Sequence, residues 1–297
     1  MYDQISQNKR NSWLLVIVIT IFLVLLGYIV GEYWGRGYGW GGIVFALVVA
    51  VISGLISYYG GAGMILAMSR AKRIEKKDHP QLFNVIDELS IAAGVPMPAI
   101  YVIDDTAPNA FATGRDPEHA SVAITTGLLS KLSRDELQGV MAHELSHVQN
   151  RDILFSMMVG IMVGSIVLIS DFFVRSVIWG RGGRKKGGAG KGSGPLILVG
   201  LLLAVLAPLF AKMLQLAVSR QREYLADASA AQMTRYPEGL ASALEKISGD
   251  REVLEVANRA TQHLYIVNPI KPFEKRAKSL FSTHPPIEER VARLRAM

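Results

Sequence analysis

In the stretch MAHELSHVQN, His143 and His147 stand four residues apart with Glu144 between them. On a helix that spacing is about one turn, so both imidazoles share a face and two ring nitrogens can meet at one tetrahedral zinc. Glu144 is rotated by roughly 100° from His143. It therefore flanks such a metal without binding it, which suits a general base acting on water. A catalytic zinc also needs a third protein ligand. The chain has no cysteine, so that ligand is a histidine or a carboxylate. The stretch SRQREYLADASAAQM, from Ser219, offers Glu223 and Asp227 four apart. Glu223 can complete a His-His-Glu set with a fourth position open, and Asp227, one turn on, can accept a ring N–H from a ligand histidine. Each stretch alone also reads as an ordinary solvated helix face. Together they favour a metal.

These side chains need helices to present them. Ser133 and Glu136 have the S-x-x-E spacing of a capping box, in which each side chain satisfies a free backbone N–H of the other. Leu137, Val140, Met141, Leu145 and Val148 follow near helical period, so the HELSH residues sit on an amphipathic helix. Pro80 opens another, with Leu82, Val85, Ile86 and Leu89 on one face. Ala99 to Asp104 and Ser121 to Thr125 are rich in β-branched residues and read as short strands.

The remainder of the chain points to a bilayer. Half of the 297 residues are hydrophobic and mean hydropathy is +0.28. Trp13 to Val30 and Trp40 to Tyr59 are uncharged and long enough to cross a membrane, the second with aromatic residues at both ends. Leu154 to Phe173 and Pro195 to Ala211 are two further apolar runs, joined by a basic, Gly-rich linker at 175–194. The chain thus divides into an N-terminal membrane hairpin at 1–68, a polar segment carrying HELSH at 69–152, a hydrophobic hairpin at 153–218 and a second polar segment at 219–297. The net charge of +7 lies beside the apolar runs, so it reads as membrane anchoring and not as a nucleic-acid surface. Lys9, Arg10 and the basic cluster from Arg70 to Lys77 flank the first two runs, whereas the loop between them carries only Arg36 and Glu32. The positive-inside rule puts the N-terminus and the HELSH segment in the cytoplasm. Arg181, Arg184, Lys185, Lys186 and Lys191 in the linker oppose a full crossing of the later hairpin. Because His143 and Glu223 must meet on one side, that hairpin crosses twice or not at all, and the sequence leaves both open.

Two N-terminal membrane segments, HELSH, a hydrophobic hairpin and EYLAD together resemble, over nearly the whole length, the bacterial form of the membrane zinc metallopeptidase family that also contains the CaaX prenyl endopeptidases. The resemblance implies a mainly α integral membrane protein with a gluzincin-like α+β catalytic domain and a small sheet. It implies one zinc per chain on His143, His147 and Glu223, with Glu144 as base. It further implies a multi-pass protein of the bacterial cytoplasmic membrane, facing the cytoplasm and cutting unfolded or misfolded membrane proteins in quality control and stress response. PNAFATG, from Pro108, is similar to the family's edge-strand motif, which makes Asn109 and Ala112 candidates for substrate binding by backbone pairing. THPPIEER, from Thr283, resembles a C-terminal His-Pro motif. There His284 is the candidate donor to a tetrahedral oxyanion, Pro286 suits the first turn of a last helix, and Arg290 is the candidate tie from that helix to a carboxylate near the site. The alternative class is a zinc-binding membrane transporter or scaffold without protease activity. A structural zinc has four protein ligands, which would draw in His284 or Asp227.

Overall fold

The computed structural model describes residues 37–158, 220–250 and 285–297, with scattered positions between 10 and 32 and between 252 and 266. The 175–194 linker, the run from Pro195 and His284 lie outside the described residues. So does most of the run from Leu154.

Helix α1, Gly39–Met68, is among the described residues the one helix long and apolar enough to cross a membrane. Within the first apolar run, residues 17–21 and 23–25 are helical. This run packs against α1 through Gly27, where an added Cβ would stand 2.4 Å from the Gly42 carbonyl oxygen. Small residues at such a crossing let helices in a membrane approach closely.

After α1 the chain makes strand β1, Lys72–Arg73, and helix α2, Pro80–Ala93. Strand β2 is Ala99–Ile103, β3 is Ala110–Gly114 and β4 is Ala120–Thr125. The sheet order is β1-β2-β4-β3, with β2 and β4 parallel and the outer pairs antiparallel. The PNAFATG motif thus supplies an edge strand, with Ala110 opposite Ile124 and Ala112 opposite Val122. The two β-branched stretches form the expected strands. β1 escapes a composition-based reading because two charged residues carry no strand signal.

Helix α3 is Thr126–Lys131 and helix α4, which carries HELSH, is Arg134–Gln149. The Ser133–Glu136 capping box is present in both directions. A short helical segment, residues 152–158, then leads into the third apolar run. Helices α5, Arg220–Thr234, α6, Pro237–Gly249, and α7, Ile287–Arg295, complete the described chain, with Pro286 at the N-cap of α7.

Both polar segments build one core. Leu82, Val85, Ile86 and Leu89 of α2 pack with Leu137, Val140, Met141 and Leu145 of α4, and with Leu240, Leu244 and Ile247 of α6. Helices α4 and α6 meet so closely at Gly139 that a Cβ there would lie 2.6 Å from the Leu240 nitrogen. A second cluster joins Ile65 and Leu66 of α1 to Ile103, Phe111, Phe155 and Tyr265. The α4 helix is therefore buried on nearly every side, and its polar residues lie where each needs a partner.

Candidate metal centre

Helices α4 and α5 pack side by side and bring His143, His147 and Glu223 together. One ligand atom from each lies within 4.8 Å of the others. The two Nε2 atoms are 3.3 Å apart, and each is 3.7 Å from a Glu223 carboxylate oxygen. Ligands on a tetrahedral zinc at about 2.0–2.1 Å stand about 3.3 Å from one another. The donor set of two imidazoles and one carboxylate fits a divalent metal of that size.

Each imidazole is held through its other nitrogen. His143 Nδ1 is 3.0 Å from Asp227 Oδ1, and His147 Nδ1 is 3.0 Å from Asp152 Oδ2. With Nδ1–H donated to an aspartate, the Nε2 lone pair of each ring faces inward. Arg290, fully buried on α7, donates from Nε to Asp227 Oδ2 at 2.8 Å and from Nη2 to Oδ1 at 2.6 Å. Its Nη1 is 3.5 Å from Glu223. Asp227 and Arg290 are thus brought together beside His143.

The sequence reading missed Asp152. Helix α4 ends at Asn150, and Arg151 takes a left-handed conformation with φ of 58°. That reversal returns Asp152 to His147. The available signal was an acid five residues beyond the second histidine, just past a helix-stopping Asn. It was obscured because Asp152 also borders an apolar run. Arg222, the residue before Glu223, lies 3.8 Å from Asp152 and stacks over the Phe155 ring at 4.9 Å.

Burial and the nearby Arg290 charge hold the His143 imidazole below its usual pKa, against the pull of Asp227. A neutral ring is the ligating form. Burial also disfavours the His147 cation, but Asp152, Glu223 and Glu144 outweigh it and raise that pKa to about 9. The same carboxylates favour a dication at the inward face. Glu144, 2% exposed, is pushed up to about 7 by burial, against the opposing influence of His147 and of the Ala112 backbone N–H.

Ala112 of β3 therefore faces Glu144. Asn109 does not offer its backbone to the same edge: its N–H goes to Thr125 Oγ1 at 2.9 Å, and its carbonyl accepts from Thr125 N–H at 3.0 Å. The Asn109 backbone is thus engaged with β4, and Ala110 is the neighbour whose backbone turns away from β4. The Ala110 carbonyl accepts from Ile266 N–H at 3.1 Å, and the Ile266 carbonyl is 3.4 Å from Arg290 Nη1. No local pattern announced that pairing.

A His-His-Glu cluster with His143 and Glu223 buried and His147 partly so, a further glutamate beside it and a strand passing that glutamate define a metallopeptidase. The chain belongs to peptidase family M48, whose model matches residues 76–297. It is 46% identical to a protease HtpX homolog of Dictyoglomus thermophilum, over 100% of this chain and 94% of that protein. It is 42% identical to the homolog of Thermoanaerobacter pseudethanolicus, over 100% of this chain and 98% of that one. Among solved structures, Ste24p of S. mikatae shares the fold with a TM-score of 0.51 and 22% identity, over 99% of this chain and 67% of that one. The chain is accordingly a metalloprotease, a hydrolase.

Proposed function

We propose that this chain is a membrane-bound zinc endopeptidase of the bacterial cytoplasmic membrane. Its site faces the cytoplasm and cuts unfolded or misfolded membrane proteins. The observation that carries the reading is the spacing of His143, His147 and Glu223 at tetrahedral distances with Glu144 buried beside them. When bound, zinc supplies Lewis acidity, lowering the proton affinity of water and polarising a peptide carbonyl.

The chain's own residues do the rest. Asp227 and Asp152 fix the two rings so that both Nε2 atoms converge. Glu144 takes a proton from the attacking water and returns it to the leaving amine. Strand β3 holds an extended substrate by backbone pairing, which reads shape more than sequence. His284 is the proposed donor to the oxyanion. The transporter or scaffold reading would need a fourth protein ligand, and Asp227 is a poor one. Its Oδ1 serves His143 Nδ1 and Arg290, and its Oδ2 serves Arg290.

The decisive variant is Glu144→Gln. Purified full-length protein should keep about one zinc per chain while cleavage of casein falls to background. Cleavage by the variant at the wild-type rate would remove Glu144 from the mechanism.

A further inference from the structure

Two consecutive threonines stand where β4 ends and α3 begins. The Thr126 hydroxyl clasps Asp105: it accepts from the Asp105 N–H at 3.2 Å and donates to the Asp105 carbonyl at 3.0 Å. The Thr125 hydroxyl clasps Asn109 in the same way, accepting from its N–H at 2.9 Å and donating to its carbonyl at 3.1 Å. It also accepts from the Leu128 N–H at 3.1 Å, as the N-cap of α3. A hydroxyl has one proton to donate and two lone pairs to accept with. That of Thr125, which is fully buried, uses all three.

The clasp on Asn109 completes a rung of the sheet. Ala110 pairs with Ile124 and Ala112 with Val122, so the next rung sets Asn109 opposite Thr125. A hydrogen-bonded antiparallel pair exchanges two N–H···O bonds. The Thr125 N–H gives one to the Asn109 carbonyl at 3.0 Å. The return bond goes to the hydroxyl, because the chain turns into α3 at Thr125 and the carbonyl of an N-cap residue enters the first helical bond. Asn109 is buried, and its N–H would lose this acceptor with the hydroxyl.

That rung decides what the following residues present. Alternation along β3 turns Phe111 toward β4 and the backbone of Ala110 and Ala112 away from it. The Ala110 N–H is covered by Asn109 Oδ1 at 3.1 Å, and the Ala110 carbonyl by the Ile266 N–H at 3.1 Å. Helix α4 lies against the strand, and the Ala112 N–H faces Glu144. Phe111 is fully buried and its ring meets Tyr265 edge-on at 5.2 Å. A slip by one residue would expel that ring from its place. Loss of the clasp therefore displaces the start of β3 without changing its register.

From these contacts we infer, resting on the peptidase reading, that Thr125 is a positioning residue for Glu144. Its hydroxyl fixes the start of β3, and β3 carries the N–H that holds the Glu144 carboxylate in place. Thr125 reaches the base only through the strand, three residues from Ala112. Thr126 makes a like clasp seven residues from Ala112, and so separates this role from simple fastening of the loop.

The test compares Thr125→Val, Thr125→Cys, Thr125→Ser and Thr126→Val as full-length proteins in detergent. Bound zinc, thermal unfolding, and kcat and KM on a fluorogenic peptide are measured for each, with activity read below the unfolding transition. Thr125→Val keeps the shape without the hydroxyl. It should retain about one zinc per chain and lose at least about tenfold in kcat with KM changed less than about twofold, since misplacing a reacting group by about 1 Å can cost about a hundredfold. Thr125→Ser should restore kcat to within about twofold, and Thr125→Cys, with its weaker donor and acceptor, should fall between. Thr126→Val should lower the thermal midpoint yet keep kcat within about twofold of wild type. Wild-type kcat in Thr125→Val overturns the inference, as does an equal loss of kcat in Thr126→Val. If Thr125→Val does not fold, Thr125→Cys decides: wild-type kcat there is equally fatal. These results in an enzyme that Glu144→Gln inactivates refute the inference alone. A wild type that cuts no peptide, or an active Glu144→Gln, refutes the reading beneath it.

Discussion

His143 and His147 each turn Nε2 toward the candidate metal position and place Nδ1 3.0 Å from an aspartate. What stands behind the two aspartates differs. Asp227 is gripped by both arms of a fully buried Arg290, so the His143 side is locked to α7 and the common core. Asp152 has Arg222 at 3.8 Å, and it begins the helical segment that leads toward the third apolar run. One ring is backed by α7 and the common core, the other by Asp152, where the helical segment 152–158 begins, with Arg222 of α5 beside it. The two rings are therefore supported by different parts of the fold, one by α7 and the other by the chain just past α4 and the start of α5.

The largest effect expected from this contrast is at Arg290. Arg290→Ala leaves Asp227 and Glu223 buried without their cation, and breaking a buried pair on one side costs about 3–5 kcal/mol. Denaturant unfolding of the full-length protein in detergent measures it. Arg290→Lys keeps the charge but loses the two-armed geometry and should fall between. A loss below about 1 kcal/mol in Arg290→Ala would mean the His143 side is no more rigid than the other.

Next comes a matched pair of substitutions. Asp227→Asn should weaken zinc binding by about 10–100-fold, because the ring orientation and the basicity of His143 both depend on it. Asp152→Asn should stay near the lower end of that range, about tenfold, because the Arg222 contact behind it, at 3.8 Å, is longer than the Arg290 bonds behind Asp227. Competition with a chromophoric chelator gives both constants. Equal losses, or a larger loss at Asp152, would erase the distinction between the two rings.

The same contrast explains what could be read in advance. HELSH and EYLAD were legible because each places its groups one helical turn apart, within a few residues of sequence. Strands β2 and β4 and the capping box are local patterns too. Asp152 depends on a left-handed turn at Arg151, which a residue type other than Gly does not advertise. Its pairing with His147 was therefore invisible, although the two are only five positions apart. The Ile266–Ala110 pairing and the Phe111–Tyr265 contact join positions more than a hundred residues distant, and nothing local encodes them. The backbone direction of Asn109 was not legible for a related reason. Which face of an edge strand looks outward is set by its register with β4, and a shift of one residue exchanges the faces.

The smallest expected effect serves as the control, because it lies on the HELSH helix but touches neither ring. Glu136 accepts from Ser133 N–H at 2.8 Å, from Ser242 Oγ at 2.5 Å and from Lys246 Nζ at 2.8 Å, tying the start of α4 to α6. Burial alone would raise its pKa, but these bonds outweigh burial and hold it down to about 2 against an ordinary 4.5. A carboxyl with a depressed pKa in the folded state stabilises fully above its unfolded value and loses that contribution as pH falls toward the folded one. Glu136→Gln should cost about 1 kcal/mol at neutral pH, since the amide keeps part of the geometry. The gap between wild type and variant should be constant above about pH 5 and close as pH falls from there toward about 2. Protonation of the imidazoles acts on both proteins alike, so the difference isolates Glu136. Zinc affinity at neutral pH should match wild type. A changed zinc affinity would show that strain at the start of α4 reaches the rings. His143 and His147 would then answer to one rigid helix, and the difference between their two supports would not matter.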